Sequence, residues 1–191
     1  SYAFPYDEVT NAAYKGLIQR SGPIANTVLG ADPDVFLYNT DLVKAKELII
    51  AGGFAEGDTF DYVFQTGDAV ERTIAQLFQA NVQEMGFNLD ISEIERSALI
   101  DFIYNDSPAE ERPMFVGGWG WWPDYNDGYN QLVPNFSEVS TGGGGSNGGY
   151  YVNARYEELM AEVEKFTDET VMLEQMKEIQ NILTEQDPPA I

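Results

Sequence analysis

The tryptophans of this chain are concentrated beside carboxylates. All three lie within Trp119–Trp122, and the segment continues to Asp127, so that it reads WGWWPDYND. Indole rings offer flat apolar area with an electron-rich face, which suits sugar rings, peptide side chains and cations. A carboxylate in a partly enclosed pocket holds an ammonium group through charge-assisted hydrogen bonds. The segment therefore predicts a ligand-binding site.

The residues of this segment have different expected roles. Asp124 follows Pro123 in a turn that can present its carboxylate to a ligand, and the alternative is that it caps its own turn. Asp127 beside Gly128 favours turn formation. Trp119 follows an apolar stretch directly, so we expect it to contribute to the core. The candidate ligand-binding residues are Asp124, Trp121, Trp122, Tyr125 and Trp119.

Composition argues against most catalytic chemistry. The chain has no cysteine and no histidine, which removes thiolate and imidazole nucleophiles and the usual zinc sites. A glycosidase would need two carboxylates roughly 5–10 Å apart. Asp124 with Asp127, or Asp124 with a distant glutamate, could form such a pair, but no spacing in the sequence selects a pair from the 32 acidic residues. The run DYNDGYN lacks the ligand pattern of a calcium-binding EF-hand. We expect a protein that is not an enzyme, with no cofactor and no metal.

The charge of the chain limits its partners. It carries 32 acidic and 10 basic residues, a formal net charge of −22, which repels nucleic acid and anionic lipid. This charge favours a heavily solvated surface, and the alternative is long-range attraction of cationic ligands. The longest apolar runs fall far below the roughly 18 residues of a membrane span. A chain of 191 residues with 43% hydrophobic content fits a single domain, residues 1–191.

Periodicity predicts an α/β fold around the segment. Residues 41–51 have the spacing of an amphipathic helix, and 59–65 and 87–91 alternate as strands with a helix between them. This order is typical of a βαβ unit. Residues 113–119, PMFVGGW, predict a buried strand that brings the tryptophans to the carboxyl edge of the sheet, where ligands usually bind in open α/β sheets.

The rest of the chain reads as helices and loops. Ser92 and Glu95 have capping-box spacing and predict a helix over 93–104. Two helices close the chain, with Asn153 and Asp168 as their N-caps. Their apolar stripes are Tyr156, Leu159, Met160, Val163 and Phe166 on the first helix and Met172, Met176, Ile179 and Leu183 on the second. Residues 141–149, TGGGGSNGG, predict a flexible glycine-rich loop, and the GGGGS run also resembles an engineered linker.

Four stretches in order resemble one known family. They are AFPYDEVTNAAYKG, YNTDLVKAKELIIAGGFAEG, GGWGWWPDYND, and GGYYVNARYEELM with ILTEQDPPAI. Together they span nearly the whole chain and resemble the second lobe of the extracellular solute-binding proteins of family 5. These are the oligopeptide-, dipeptide- and nickel-binding receptors of bacterial ABC importers.

The resemblance implies both a fold and a function. The fold would be one lobe of a two-lobe periplasmic-binding-protein-like (type II) structure, α/β with a mixed sheet flanked by helices. The protein would act outside the cytoplasm, in the periplasm or as a surface lipoprotein, with a first lobe and ABC permease subunits as partners. Asp124 would pair with the α-amino group of a peptide. Asn126 and Gly128 stand where the family often has proline, and a third tryptophan is added, so an oligosaccharide ligand is the alternative.

Overall fold

The chain folds into two compact units, each with its own apolar core. The computed structural model describes residues 1–104, 112–143, 145–165 and 168–189. Unit 1 comprises Ser1–Gln19, Tyr38–Asp101 and Ser107–Trp119, and unit 2 comprises Arg20–Leu37, Phe102–Asp106 and Gly120–Ile191. This division is finer than the single domain predicted over residues 1–191. In the described ranges, no helix is long and apolar enough to cross a membrane.

Unit 1 is built on a βαβ core. Along the chain its elements are α1 (Tyr6–Glu8), continued by a π-helical turn (Val9–Ala13), then α2 (Leu42–Ala51), β1 (Thr59–Gln65), α3 (Ala69–Glu84), β2 (Asn88–Ile94), α4 (Arg96–Tyr104) and β3 (Phe115–Val116). From Phe102 onward α4 groups with unit 2. The predicted helix at 41–51 is confirmed as α2, and its N-cap Asp41 accepts a hydrogen bond from the Lys44 amide.

The strands form a parallel sheet in the order β2–β1–β3. β1 and β2 pair along their whole length, with Thr59 opposite Asn88 and Gln65 opposite Ile94. β3 pairs with the middle of β1, where Tyr62 lies opposite Phe115. The predicted α/β class is confirmed. The family resemblance implies a mixed sheet, whereas all pairings among the described strands are parallel. Helical segments connect the strands and let each one start from the same end of the sheet.

Aromatic side chains fill the core of unit 1. Alternation along β1 places Phe60, Tyr62 and Phe64 in the interior, as predicted. Phe78 of α3 packs on this face, with its ring centroid 6.2 Å from that of Tyr62 and 5.1 Å from that of Phe115. Burying each side chain of this size contributes about 1.5–3 kcal/mol, so this cluster holds α3 against the sheet.

Two boundary predictions in unit 1 are wrong. Ser92 does not cap a helix, because it pairs with Val63 in the parallel ladder and β2 continues to Ile94. The helix α4 starts at Arg96 instead of residue 93. The strand predicted over 113–119 is limited to Phe115–Val116 and is only half-buried. In both places strand pairing with β1 decides the outcome, and local sequence signals do not encode it.

Unit 2 is a helical layer. Its elements are α5 (Tyr129–Phe136), a 3₁₀ turn (Glu138–Ser140), α6 (Ala154–Val163), α7 (Glu169–Asn181) and a π-helical turn (Ile182–Gln186). The core contains the predicted stripes, namely Tyr156, Leu159, Met160, Val163, Met172, Met176, Ile179 and Leu183. Phe166 lies outside the described residues. Asn153 and Asp168 are the N-caps of α6 and α7, as predicted.

Buried polar side chains attach a long loop to the helices of unit 2. The Gln180 amide donates to the carbonyl of Gly30, and its oxygen accepts a hydrogen bond from the Asp32 amide. The Tyr156 hydroxyl donates to the carbonyl of Leu132 at 2.9 Å. Ile24, in the same loop, is 1% exposed in the core. The sequence pattern does not predict these attachments, because they join residues far apart in the chain.

The glycine-rich loop has one buried anchor. Asn147 is 1% exposed, and its side chain donates to the carbonyls of Ser137 and Tyr151 and accepts from the Tyr151 amide. A Cβ on Gly145 would lie 2.0 Å from the carbonyl oxygen of Ser140, so glycine is required there. The described part of 141–149 therefore has defined contacts, and its flexibility stays a prediction.

We expect Asp168→Ala to lower the free energy of unfolding by about 1 kcal/mol. The Asp168 carboxylate accepts hydrogen bonds from the amides of Thr170 and Val171 at 2.9 and 3.2 Å, and alanine leaves these amides without an acceptor. Urea denaturation followed by circular dichroism measures the change. Asp168→Ser keeps an acceptor and should cost only a few tenths of a kcal/mol. Equal losses for the two variants would contradict the assigned cap.

Candidate ligand-binding site

A pair of glycines turns the chain as it leaves β3. The Gly117 amide donates to the carbonyl of Val63 at 2.8 Å and extends the pairing with β1. A Cβ on Gly117 would lie 2.3 Å from the Tyr62 hydroxyl and 2.5 Å from a carboxylate oxygen of Glu71. Gly118 has a φ of +73°, and its Cβ would lie 2.8 Å from Cγ of Glu71. Only glycine fits at both positions, so the backbone lies directly on these two side chains.

The Tyr62–Glu71 pair beneath the glycines is buried. The Tyr62 hydroxyl donates to Glu71 at 3.1 Å, and Glu71 is 7% exposed. In the part of the chain that is described, no lysine or arginine pairs with this carboxylate. Burial raises the pKa of Glu71 above its ordinary value, although the Tyr62 hydrogen bond opposes the shift, and nearby Asp68 raises it further. Burial and Glu71 together raise the pKa of Tyr14.

The predicted site residues fall on both sides of a unit boundary. Trp119 is the last residue of unit 1, whereas Trp121, Trp122, Asp124 and Tyr125 belong to unit 2. The position of Trp119 directly after β3 predicts a core residue. In the structure Trp119 is half-buried and is not among the fully buried core residues. The other four candidates lie within residues 121–125 of unit 2.

A fixed turn presents the Asp124 carboxylate. The backbone amide of Asp124 donates to the side-chain oxygen of Asn130 at 2.6 Å, which ties the turn to α5. The Asp124 side chain is exposed, and within the described residues it accepts no hydrogen bond and forms no ion pair. The alternative prediction, that Asp124 caps its own turn, is therefore wrong. Asp127 has that role, since it accepts a hydrogen bond from the Tyr129 amide at 2.9 Å.

The aromatic residues beside Asp124 differ in exposure. Trp122 is 88% exposed and Tyr125 is 54% exposed. Trp121 is half-buried, and its indole N–H is covered without an acceptor among the described residues. Exposed aromatic faces next to a carboxylate can stack on a planar or apolar group while the carboxylate holds a cation.

The turn is also attached to a distant loop of unit 2. The Asn126 side chain accepts a hydrogen bond from the Leu29 amide at 3.3 Å, and the Gly128 amide donates to the carbonyl of Leu29 at 2.8 Å. A proline at 128 has no N–H for this bond. A Cβ at Gly128 would lie 2.5 Å from Cδ1 of Ile24. These contacts explain why Asn126 and Gly128 suit this turn.

Sequence reasoning missed three positioning residues. Nothing in the sequence indicates that Leu29 and Asn130 hold the turn. Glu71 did carry a signal, because it stands three and seven residues before the core residues Ile74 and Phe78 and thus shares their buried helix face. Over the described residues, no group of three or more acidic, histidine or cysteine side chains is arranged to hold a metal ion.

We expect Glu71→Gln to make the chain more stable relative to the parent at pH 8 than at pH 5, because the amide carries no charge to bury at either pH. A raised pKa means that the folded chain holds the proton more tightly than the unfolded chain does. The stability from Glu71 is therefore complete below the ordinary glutamate pKa and is lost as the pH rises through the raised value. Urea denaturation at pH 5 and pH 8 should show the variant losing less stability than the parent chain.

Asp90→Asn is the matched control for this prediction. Asp90 is an exposed acid on β2, so its replacement should leave the pH dependence of unfolding unchanged. If Glu71→Gln loses as much stability between pH 5 and pH 8 as the parent, the buried carboxyl is not the source of the pH dependence.

Comparison with known proteins places the chain in a family. The model of the family described as bacterial extracellular solute-binding proteins, family 5 Middle, matches residues 1–143. Among curated protein sequences, no match to the chain was found. The family that the four sequence stretches resemble is thus confirmed.

Solved structures show the same fold. The periplasmic binding protein DppA from Helicobacter pylori, in complex with the peptide STSA, has a TM-score of 0.85 at 22% identity over 98% of this chain and 35% of its own. The dipeptide-binding protein from Pseudoalteromonas sp. SM9913, in complex with Met-Leu, has a TM-score of 0.83 at 23% identity, over 98% and 36%. NikA from Staphylococcus aureus, in complex with Ni(L-His)2, has a TM-score of 0.80 at 15% identity, over 99% and 39%.

The chain therefore spans 35–39% of the length of these structures. At these identities the similarity shows the fold, which is periplasmic-binding-protein-like. Membership rests on the family model, which covers residues 1–143 of the 191. The chain belongs to family 5 of the bacterial extracellular solute-binding proteins.

Proposed function

We propose that this chain is the second lobe of the solute-binding component of a bacterial ABC importer, and that its ligand is a dipeptide or oligopeptide. Family membership supports a binding role. Two of the structurally similar proteins were solved with peptides, STSA and Met-Leu. A two-lobe receptor closes on its ligand like a hinge, so this lobe supplies one wall of the cleft and a first lobe supplies the other.

The Asp124 carboxylate carries the peptide proposal. It is exposed on a backbone fixed by Asn130 and has no partner among the described residues. An unpaired carboxylate in a fixed position is ready to receive a protonated α-amino group, and charge-assisted hydrogen bonds contribute about 1.5–3 kcal/mol. Because the turn is preorganised by its contacts, little conformational entropy is lost when the ligand binds.

The aromatic residues complete this wall of the cleft. Trp121, Trp122 and Tyr125 would pack against ligand side chains or backbone, and Trp119 would support the start of the segment. Aromatic anchors of this kind add apolar contact without demanding one ligand sequence. The role is capture and delivery to permease subunits, not catalysis. It takes place in the periplasm or at the cell surface, where a lipid anchor would retain the protein.

An oligosaccharide is the second candidate ligand. The observation that favours it is the 88% exposure of Trp122, since an exposed indole face is a suitable platform for a sugar ring. The two candidates differ in what they need from Asp124. A peptide presents a cation to it, whereas a neutral sugar can only donate hydroxyl hydrogen bonds.

We expect Asp124→Ala, made in the receptor that contains this chain and both lobes, to weaken peptide binding at least tenfold. The loss of about 1.4 kcal/mol or more corresponds to one charge-assisted hydrogen bond. Isothermal titration calorimetry with a tripeptide and with the same peptide N-acetylated measures the effect. Acetylation should weaken binding to the parent receptor but have little further effect on the variant.

Asp127→Asn is the matched control for Asp124. Its amide oxygen can still accept the hydrogen bond from the Tyr129 amide, so the affinity for a tripeptide without lysine or arginine should stay within about twofold. Unchanged affinity in Asp124→Ala, or equal losses on acetylation in both proteins, would remove Asp124 from the site.

We expect peptides, not sugars, to change the tryptophan fluorescence of the two-lobed receptor. Ligand contact transfers the exposed Trp122 from water to a drier environment, which shifts its emission to shorter wavelength. A screen of di- and oligopeptides against cello- and xylo-oligosaccharides compares the two classes directly, with Trp122→Phe as the control for the reporting residue. Saturable shifts with the oligosaccharides alone would replace the peptide proposal with the second candidate.

A further inference from the structure

We propose that a pocket in unit 2, which shares Tyr125 with the candidate site, binds one organic cation, either an alkylammonium or a guanidinium group. Its volume is about 230 Å³, and it is lined by Tyr125, Asp127, Tyr129, Val163, Glu164 and Met172. Drug-sized ligands occupy pockets of roughly 300–1,000 Å³, so this one suits a group no larger than a single long side chain. It lies between the start of α5, the end of α6 and the first turns of α7.

The floor of the pocket is apolar and rigid. Val163 and Met172 are 3% and 2% exposed and belong to the core of unit 2. Tyr129 packs against the same core. These side chains are held by packing, so they offer the methylene groups of an alkylamine a preformed apolar surface.

The rim of the pocket is acidic and uncompensated. Within the described residues, the Glu164 carboxylate has no hydrogen bond and no ion pair. Asp127 Oδ1 accepts a hydrogen bond from the Tyr129 amide at the start of α5, and its other oxygen accepts none among the described residues. The adjacent cation, Lys165, pairs with Glu162 instead. Two acidic residues thus line a pocket that has no basic residue in its lining.

The aromatic rings strengthen the preference for a cation. Tyr125, Tyr129 and Glu164 line the same pocket. Burial raises the pKa of Tyr129, and the Glu164 carboxylate and Tyr125 raise it further. A cation near tyrosine rings gains from the negative potential of their faces, and the carboxylates attract the same charge. An anion would meet repulsion from both, and a neutral alcohol would gain only the apolar contact.

The source of the cation in the receptor depends on the proposed function. If the ligand is a peptide, the pocket would receive a lysine or arginine side chain, since Tyr125 follows Asp124 directly in the chain. Binding of a free amine does not depend on that proposal. The two ideas can therefore be tested in separate experiments.

The test is an NMR titration of the ¹⁵N-labelled 191-residue chain with n-butylammonium chloride. We expect saturable shifts of the Tyr125, Tyr129 and Glu164 amides with a dissociation constant in the millimolar range. n-Butanol and sodium chloride at matching concentrations should not reproduce them. Shifts that sodium chloride reproduces, or shifts that do not saturate, would overturn the proposal.

Two substitutions test whether the Glu164 carboxylate is the group that binds the cation. Glu164→Gln keeps the shape of the side chain and should weaken butylammonium binding at least fivefold. Glu174→Gln removes an exposed acid on α7 outside the pocket and should leave binding unchanged. Equal weakening of butylammonium binding by the two variants would indicate general attraction to an acidic surface and would overturn the proposed pocket site.

Failure of this inference is distinguishable from failure of the proposed function. The amine titration needs neither a peptide nor a first lobe. A receptor that binds no peptide leaves a positive amine titration standing, and a negative titration leaves the peptide test of Asp124 unaffected.

Discussion

The parallel pairing of β3 with β1 is the constraint that fixes where the chain leaves the sheet of unit 1. It ends at the hydrogen bond from Gly117 to Val63, and directly afterwards the backbone lies on Tyr62 and Glu71. Burying the Glu71 carboxyl without a cationic partner is costly. The backbone can lie against Tyr62 and Glu71 because Gly117 and Gly118 have no side chains. The chain therefore leaves the sheet at one defined point, and the tryptophan segment starts there.

Much of the fold could be predicted where the periodic pattern is dense and the ends carry caps. The helices α2, α6 and α7 satisfy both conditions, and β1 shows a clear alternation, so local sequence is enough to define these elements. The start of α4 and the length of β3 could not be predicted, because strand pairing decides them and outweighs the capping box at Ser92. α5 carries Pro134 in its interior and has Gly128 as its N-cap, without a side-chain cap, so neither the pattern nor a cap marks it as a helix.

The candidate site was predictable in its residue types but not in its geometry. Tryptophans and a carboxylate in one short segment indicate recognition, and the structure exposes Trp122 and Asp124. What holds them in place depends on contacts between distant parts of the chain, such as the hydrogen bond between Leu29 and Asn126, which are 97 residues apart. No local pattern records such a contact, since it forms only when the loop packs on the helices.

The glycine pair also bears on how ligand specificity can change in evolution. Gly117 and Gly118 admit no side chain, so substitutions there would disturb the sheet before they altered recognition. Gly120, two residues later, has no described atom within 4 Å of an added Cβ. Substitution is thus restricted at Gly117 and Gly118 and sterically open at Gly120. The segment can acquire new aromatic residues while the fold that carries it stays the same.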